Sequence, residues 1–510
     1  MNKKYILPLL LSIFTIPFVS NAQIMDDSFN YTYEQLYGTP RFVAMSGAFG
    51  ALGGDLSALK VNPAGSAVFS SSTASFTLNN QTYTNSASIG NVNTNTKNNV
   101  FSISQAGAVF VFNDYNTKST INKFSVALNF ETKNSLNNKI FGFGNNNYSI
   151  GDYFASQANG IPLSTFNNLS SNLTNAYIEL GDRHYRGLSN RAMQNAFLGY
   201  ETFIINPTSN NNNTTTYQNN FNGTSYNKAY EYRATGYNGV LVANAAMALK
   251  DKIYLGLNLN SHFINYEKRN YAYEETKSPA SNISSVDFEN FQNTIGTGFS
   301  VQIGAIAKLT NSLRVGASYH SPTWYTISDE TSQFLESFDS SNNKYYTVAP
   351  DVINLYPNYD LRTPSKLNAS VAYIVSNKAI ISFDYGYQDY ANIKYYANNY
   401  DPIYFDNLNH FIKNNYKAVS TYKVGAEYRI KALSLRGGYR YEESPYKNNL
   451  YMSDLEGFSF GLGYTFYNIR IDASYDYSDR DYTNNFQHSN QTASVNHERN
   501  NISLGISFNF

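Results

Sequence analysis

From about Val68 onward, apolar and polar residues change places every second position. Phe124, Val126, Leu128 and Phe130 alternate with Ser125, Ala127, Asn129 and Glu131. Tyr422, Val424, Ala426, Tyr428 and Ile430 alternate with Lys423, Gly425, Glu427 and Arg429. The same beat runs through Leu433 to Tyr441 and Ile469 to Tyr477. A period of two sends successive side chains to opposite faces of a strand. One face here suits lipid and the other a wet lumen. A soluble β-sandwich alternates too. Against it stand the aromatic residues at the strand ends, as in interfacial girdles, and connections that alternate between short and long.

The pattern predicts fourteen strands, near 68–83, 99–112, 121–132, 230–249, 252–270, 296–309, 312–327, 365–375, 379–391, 418–430, 432–443, 456–467, 468–477 and 497–510. Lys250-Asp251, Thr310 to Ser312, Ser376 to Lys378, Lys431 and Tyr467-Asn468 read as very short turns, and Asn113 to Thr120 as a longer one. Loops are expected at 133–229, 271–295, 328–364 and 392–417. Short turns belong to the periplasmic side of an outer-membrane barrel and long loops to the outside. An even strand number then puts both chain ends in the periplasm.

The stretch RFVAMSGAFGALGGDLSALKVNPAG, Arg41 to Gly65, breaks the beat. It is rich in small residues and cannot be a membrane strand. A compact segment ahead of a barrel suggests a plug inside it, over residues 23–67, with the barrel at 68–510. Its glycines superficially resemble a phosphate-cradling loop, but no strand precedes them and no βαβ unit follows. Glycine instead lets backbones approach closely. The predicted fold is all-β: a transmembrane antiparallel β-barrel of about fourteen strands with a small N-terminal helical plug in its lumen.

The first residues set the compartment. Lys3 and Lys4 precede an apolar run from Tyr5 to Val19 and then Ser20-Asn21-Ala22. This is the order of a secretory signal, residues 1–22, cleaved before Gln23. The run is too short for a membrane helix, which needs ~20 apolar residues. The mean hydropathy of −0.42 and the wealth of Tyr (46) and Phe (34) suit a barrel, which hides its apolar residues at alternate positions. The absence of cysteine excludes a disulfide framework and a lipid-bearing cysteine. Basic and acidic residues balance at 37 each, leaving no basic footprint for nucleic acid.

With its small-residue hatch, Asn62-Pro63-Ala64 and following strands, the chain resembles the FadL/TodX family of outer-membrane transporters for long-chain fatty acids and hydrocarbons. Arg314 to Tyr319, the Pro364-started strand, and Leu433 to Tyr446 with its Ser444-Pro445 ending resemble family strands as well. One departure is that the longest loop follows strand three, whereas the family's best-known capture loops come later. The resemblance implies facilitated uptake of a hydrophobic small molecule, a plug that gates, and ligand departure through a gap in the barrel wall. Asn62, Pro63, Ala64 and Gly65 are the expected gating corner. In the loop 328–364, Phe334, Leu335, Phe338 and Leu355 are candidates for ligand capture; the plainer alternative is that they pack the loops together. Apolar residues of a short helix within Asp182 to Tyr200, among them Leu188, Met193, Phe197 and Leu198, are expected to make loop contacts. The final strand, NISLGISFNF, ends in Phe510 and resembles the signal read by the barrel-assembly machinery. Expected partners are therefore that machinery, outer-membrane lipid and the ligand, with the barrel a monomer and no cofactor.

Rival chemistry finds little support. The six histidines, 184, 262, 320, 410, 488 and 497, have no metal-ligand spacing in sequence. Ser420-Thr421-Tyr422-Lys423 mimics a Ser-x-x-Lys motif without its partner motifs. Asp476, Asp479 and Asp481 lack the spacing and the bidentate Glu of a calcium loop. A haem-uptake barrel, a general porin and an outer-membrane barrel hydrolase remain as alternatives. The inward charges Arg314, Arg436, Arg440, Arg470, Lys423, Glu427 and Asp472 are expected to pair within the lumen.

Overall fold

In a computed structural model the chain is described over residues 22–510, apart from 117–118, 183–189, 351, 377, 398–401 and 486–491. Residues 1–21 of the expected signal segment 1–22, with His184, Leu188 and His488, lie outside the described residues. Fourteen strands close into one antiparallel barrel. They are β1 (Thr73–Ile89), β2 (Val92–Asn113), β3 (Ile121–Ser135), β4 (Tyr226–Leu249), β5 (Ile253–Glu275) and β6 (Ile283–Lys308). Next come β7 (Leu313–His320, resuming at Trp324–Asp339), β8 (Tyr359–Arg362, then Lys366–Val375) and β9 (Ala379–Asp389, then Lys394–Tyr396). The last five are β10 (Ala418–Ile430), β11 (Leu433–Glu442), β12 (Leu455–Phe466), β13 (Ile469–Asn485) and β14 (Thr492–Asn509). β14 pairs with β1 from Phe508↔Ala74 up to Ser494↔Ser88, which closes the wall.

Alternation reports the two environments. Leu435 faces lipid at 38% exposure while Arg436 is buried in the lumen. Ile502, Leu504 and Phe508 of β14 face out, and Asn501 and Ser503 face in. Phe510 lies just past β14, with its N–H donated to Ser72 O at 2.9 Å and its ring edge-on to Phe110. The short turns fall where expected. Lys250, Asp251, Ser376, Lys431 and Tyr467 take positive φ there, the conformation that tight hairpins with right-handed strand twist require.

Several loops are shorter than the sequence pattern suggests. Residues 271–275 and 283–295 are strand, as are 328–339, and β1 and β2 meet at a turn at Gly90-Asn91. The physical reason is that these strand ends rise above the hydrocarbon. Their outward face turns polar there, with pairs such as Lys139–Glu231 (3.2 Å) and Arg269–Glu289 (3.3 Å), so the lipid-facing beat vanishes from the sequence. The strict short–long alternation of connections therefore fails at the β1–β2 turn.

The connection between β3 and β4 folds into helices α3 (Ile150–Ala158), α4 (Leu163–Asn167), α5 (Leu173–Asp182) and α6 (Asn190–Glu201). Phe154, Tyr177, Met193, Phe197 and Leu198 pack there with Phe288, Leu335 and Val348 and with Ala87 and Val495 from opposite parts of the rim. The helices thus fill the outer mouth. A further helix, α7 (Pro402–Asn415), packs Leu408 and Ile412 beside them against the N-terminal helix α1 (Ala22–Thr32).

Candidate functional site: a plug, a cavity and a break in the wall

Below α1 the chain folds into the small-residue segment. It comprises helix α2 (Pro40–Ala44) and two 3-10 turns, Leu56–Lys60 and Pro63–Val68. Each starts on a side-chain cap: Thr39 accepts from Phe42 N–H, Asp55 from Ser57 N–H, and Asn62 from Ala64 N–H. Such caps satisfy amide donors that a helix start leaves open. Phe42, Val43, Met45, Phe49, Leu52 and Ala58 are buried and reach wall residues Ala372 and Ile380. Burying the five larger of these side chains stabilises by roughly 1.5–3 kcal/mol each relative to exposure.

Asn62 joins this segment to the wall. Its Nδ2 donates to Gly50 O at 2.8 Å and to Ala305 O of β6 at 3.0 Å. Asn244 of β4 donates to Pro63 O at 2.9 Å, and Ser66 meets Ser125 of β3 at 2.9 Å. The wall is cut away to receive the corner. A Cβ on Gly304 would fall 2.1 Å from Asn62 Oδ1, and one on Gly256 would fall 2.3 Å from Ala64 N. Further round, Asp384 of β9 accepts from Phe49 N–H at 3.0 Å and Gly50 N–H at 2.8 Å. The segment is therefore tied to strands on opposite sides of the lumen.

Above it lies a cavity of about 150 Å³. Phe29, Tyr33, Tyr83, Leu136, Ile140 and Met452 give it a mainly apolar lining, with Arg480 and Arg499 at its polar side. The wall beside this cavity is irregular. β3 loses its alternation from Glu131 to Leu136, where six consecutive residues are buried. A regular strand sends successive side chains to opposite faces, and β3 departs from this through a bulge between Thr132 and Asn134, a feature that bends a strand. The β2–β3 ladder ends at Gln105↔Glu131. Above that point Thr132 Oγ1 donates to Ile103 O at 2.7 Å, and the segment Asn138–Asn146 forms its backbone ladder with β4, meeting β1 and β2 through side chains: Asn85 donates to Lys139 O at 2.7 Å and Phe141 N–H donates to Thr96 Oγ1 at 3.2 Å. Asn134 to Asn138, at the bend, line the cavity. Phe101, on the outer side of β2 at this level, is 71% exposed.

The proposed capture residues do not come together. Leu335 is fully buried in the loop core, where it meets Phe288 and Val348, whereas Leu355 is 71% exposed. Phe334 and Phe338 alternate with Leu335 on the other face of β7, and Phe338 packs on Tyr345 with ring centres 4.6 Å apart. The sequence put them in a loop; as a strand, the period of two separates them.

The lumen also holds a constellation that the linear sequence hides. His262 Nε2 lies 2.8 Å from Ser300 Oγ, which lies 2.9 Å from His320 Nε2. Strand register brings them together from β5, β6 and β7. Glu34, between α1 and the plug, pairs with Lys366 at 2.9 Å nearby. The candidate metal spacing in sequence gave no hint of this, since register and not spacing makes the group.

The model of one protein family, described as outer membrane protein transport protein (OMPP1/FadL/TodX), matches residues 201–510. No curated protein matches the chain. Among solved structures, the fold is similar to a Pseudomonas aeruginosa FadL homologue (TM-score 0.53, 11% identity, 94% of this chain and 100% of that one). It is similar to the toluene transporter TodX of P. putida (0.51, 13%, 93% and 99%). It is also similar to the CymD monoaromatic hydrocarbon channel (0.50, 12%, 94% and 99%). At these identities the likeness is one of fold.

Proposed function

The chain belongs to the outer-membrane transport protein family (OMPP1/FadL/TodX); it is an outer-membrane barrel for uptake of hydrophobic molecules, and we propose that they pass sideways through its wall. Surface polysaccharide repels greasy solutes, and a water-filled pore offers them no favourable environment. A hydrocarbon or long-chain fatty acid enters between the outer helices and α1 and reaches the apolar cavity. It then leaves at the inward bend of β3, where no backbone ladder bars the way to lipid. One observation carries this reading: the cavity is lined by Asn134 to Asn138, the stretch at which the β2–β3 ladder has ended. The corner Asn62-Pro63-Ala64-Gly65 holds the plug against β4 and β6 and so closes the downward route. Passage is diffusive, with no energy coupling.

Ser135 lines the cavity and is 8% exposed, so Ser135→Trp fills the route. Uptake of a fluorescent fatty acid into proteoliposomes is expected to fall about tenfold, as for a blocked apolar pocket, with the folded barrel retained by heat-modifiable migration. Unchanged uptake by the folded variant removes the lateral route. The barrel works as a single chain and is inserted by the assembly machinery, which reads the end of β14. Removing Phe510 lowers the fraction of folded barrel in outer membranes; normal insertion counts against that reading.

A further inference from the structure

Beneath the plug, on the side of the short turns, a second and larger cavity of about 400 Å³ opens. Its character is opposite to that of the upper one. Arg41 from the plug and Arg314, Arg429 and Arg470 from β7, β10 and β13 line it, with Asp55 and Asp472.

The arginines converge. Glu427 Oε2 meets Arg41 Nε at 3.0 Å, Arg436 Nε at 2.7 Å and Arg470 Nη2 at 4.0 Å. Its other oxygen meets Arg429 Nη2 at 2.6 Å. Asp472 meets Arg436 Nη1 and Arg470 Nε, both at 2.9 Å. Arg314 gives Nη1 to Leu52 O at 3.1 Å and makes no ion pair among the described residues; its Nε is buried without an acceptor. Arg436 Nη2 is likewise buried without an acceptor. Five guanidiniums, which stay charged at any ordinary pH, thus face the three carboxylates Asp55, Glu427 and Asp472.

Glu427 and Arg436 have no exposed side-chain surface, so the inner part of this cluster is dry. A charge out of water is costly unless it is paired and hydrogen-bonded. The carboxylates present are already shared by several arginines. Arg41, Arg429 and Arg470 keep 13%, 38% and 20% side-chain exposure towards open space. The planar fork of a guanidinium matches two oxygens of a phosphate or carboxylate.

We propose that this lower cavity is an oxyanion site, taking a phosphate or carboxylate group from the periplasmic side. Because Arg41 belongs to the plug and the other arginines to the wall, an anion held there bridges the two. The site is separate from the lateral route and does not depend on it. Its ligand chemistry has two sources, a free periplasmic anion or the head of an acyl carboxylate.

The test is calorimetric titration of the full-length folded barrel in zwitterionic detergent at low ionic strength. Inorganic phosphate and octanoate are titrated separately, against chloride at matched ionic strength. Saturable binding at one anion per barrel is expected, weakened about fivefold by Arg429→Gln and by Arg470→Gln, as for loss of a charge-assisted contact. Lys139→Gln, on the outer face of the wall, leaves it unchanged. Phosphate binding identifies the free anion as the source, and octanoate without phosphate identifies the acyl head. Should either cluster variant fail heat-modifiable migration, Arg314→Gln, which breaks no ion pair, carries the same expectation. No saturable binding of either probe overturns the proposal. So does binding that chloride matches or that all the arginine variants retain, which is an adventitious ion only.

Discussion

Two boundaries of the upper cavity, the plug below it and the β2–β3 seam beside it, are built differently. The way down crosses the plug, whose corner is hydrogen-bonded to β3, β4 and β6 and whose other flank is held by Asp384 of β9 and the Arg41–Glu427 pair. Wall glycines let the two backbones touch on that route. The way out sideways crosses the β2–β3 seam, where the ladder has stopped and a side-chain bond such as Thr132 to Ile103 spans it. On the neighbouring seam β1 and β2 stay paired up to Ile89↔Val92. The contrast is between a floor where plug and wall backbones touch and are hydrogen-bonded and a seam where the backbone ladder has stopped.

The strongest way to break the contrast is to remove the floor. Deleting Arg41 to Leu59 turns a sealed lumen into a water-filled one, and ion conductance in planar bilayers is expected to rise roughly tenfold or more, as for an open barrel. Wild-type conductance from a verified folded barrel places the segment outside the conduction path.

The wall itself comes next. Leu435→Arg puts a charge into lipid and costs roughly 2–4 kcal/mol near the midplane. Arg436→Leu costs less, because Glu427 keeps Arg41 and Arg429 and Asp472 keeps Arg470. Urea unfolding in lipid vesicles measures both, and the reverse order contradicts the assignment of faces.

A smaller effect sharpens the contrast at the corner. Gly304→Val drives a side chain into Asn62 and destabilises by about 1–3 kcal/mol, as overpacking does. The plug loosens while the β2–β3 seam is untouched, so conductance rises before lateral uptake falls. Simultaneous loss of both shows that the two exits are coupled. At the same corner, Asn62→Ala with Pro63→Ala removes a cap worth about 1 kcal/mol together with the Asn62 bonds to Gly50 O and Ala305 O. A normal barrel with altered uptake of hydrophobic solutes is expected; wild-type uptake makes the corner an ordinary turn.

The number and order of the strands were legible because lipid outside and polar groups inside write a period of two into Phe124 to Glu131 or Leu433 to Tyr441. Legibility ended where the chemistry that writes it ended. Above the membrane both faces of β5 and β6 meet water or protein, so 271–295 reads as loop although most of it is strand. The bend in β3 is hidden for a related reason. Glu131-Thr132-Lys133-Asn134-Ser135 looks like the polar start of a loop, yet these side chains are buried: Glu131 pairs with Lys60 of the plug at 2.9 Å, Thr132 donates to Ile103 O, and Asn134 donates to Asn30 O of α1 at 2.8 Å. The plug was legible from its small residues and its Asn-Pro corner. Its receiving glycines, Gly256 and Gly304, were not, because a glycine in a strand carries no label saying what approaches it. Leu335 was misplaced because a loop assignment erased the face on which it sits.

The account rests on the sideways exit, and photolabelling during transport tests it most directly. A fatty acid carrying a diazirine near its tail is supplied from outside to the intact barrel in proteoliposomes and irradiated, and the modified residues are mapped by mass spectrometry. Labels are expected on Phe29, Tyr83 and Leu136, around the upper cavity and the bend of β3. Labels instead on Leu52, Leu56 and Val68, which line the space beneath the plug, would show that solute passes through the floor and contradict the account.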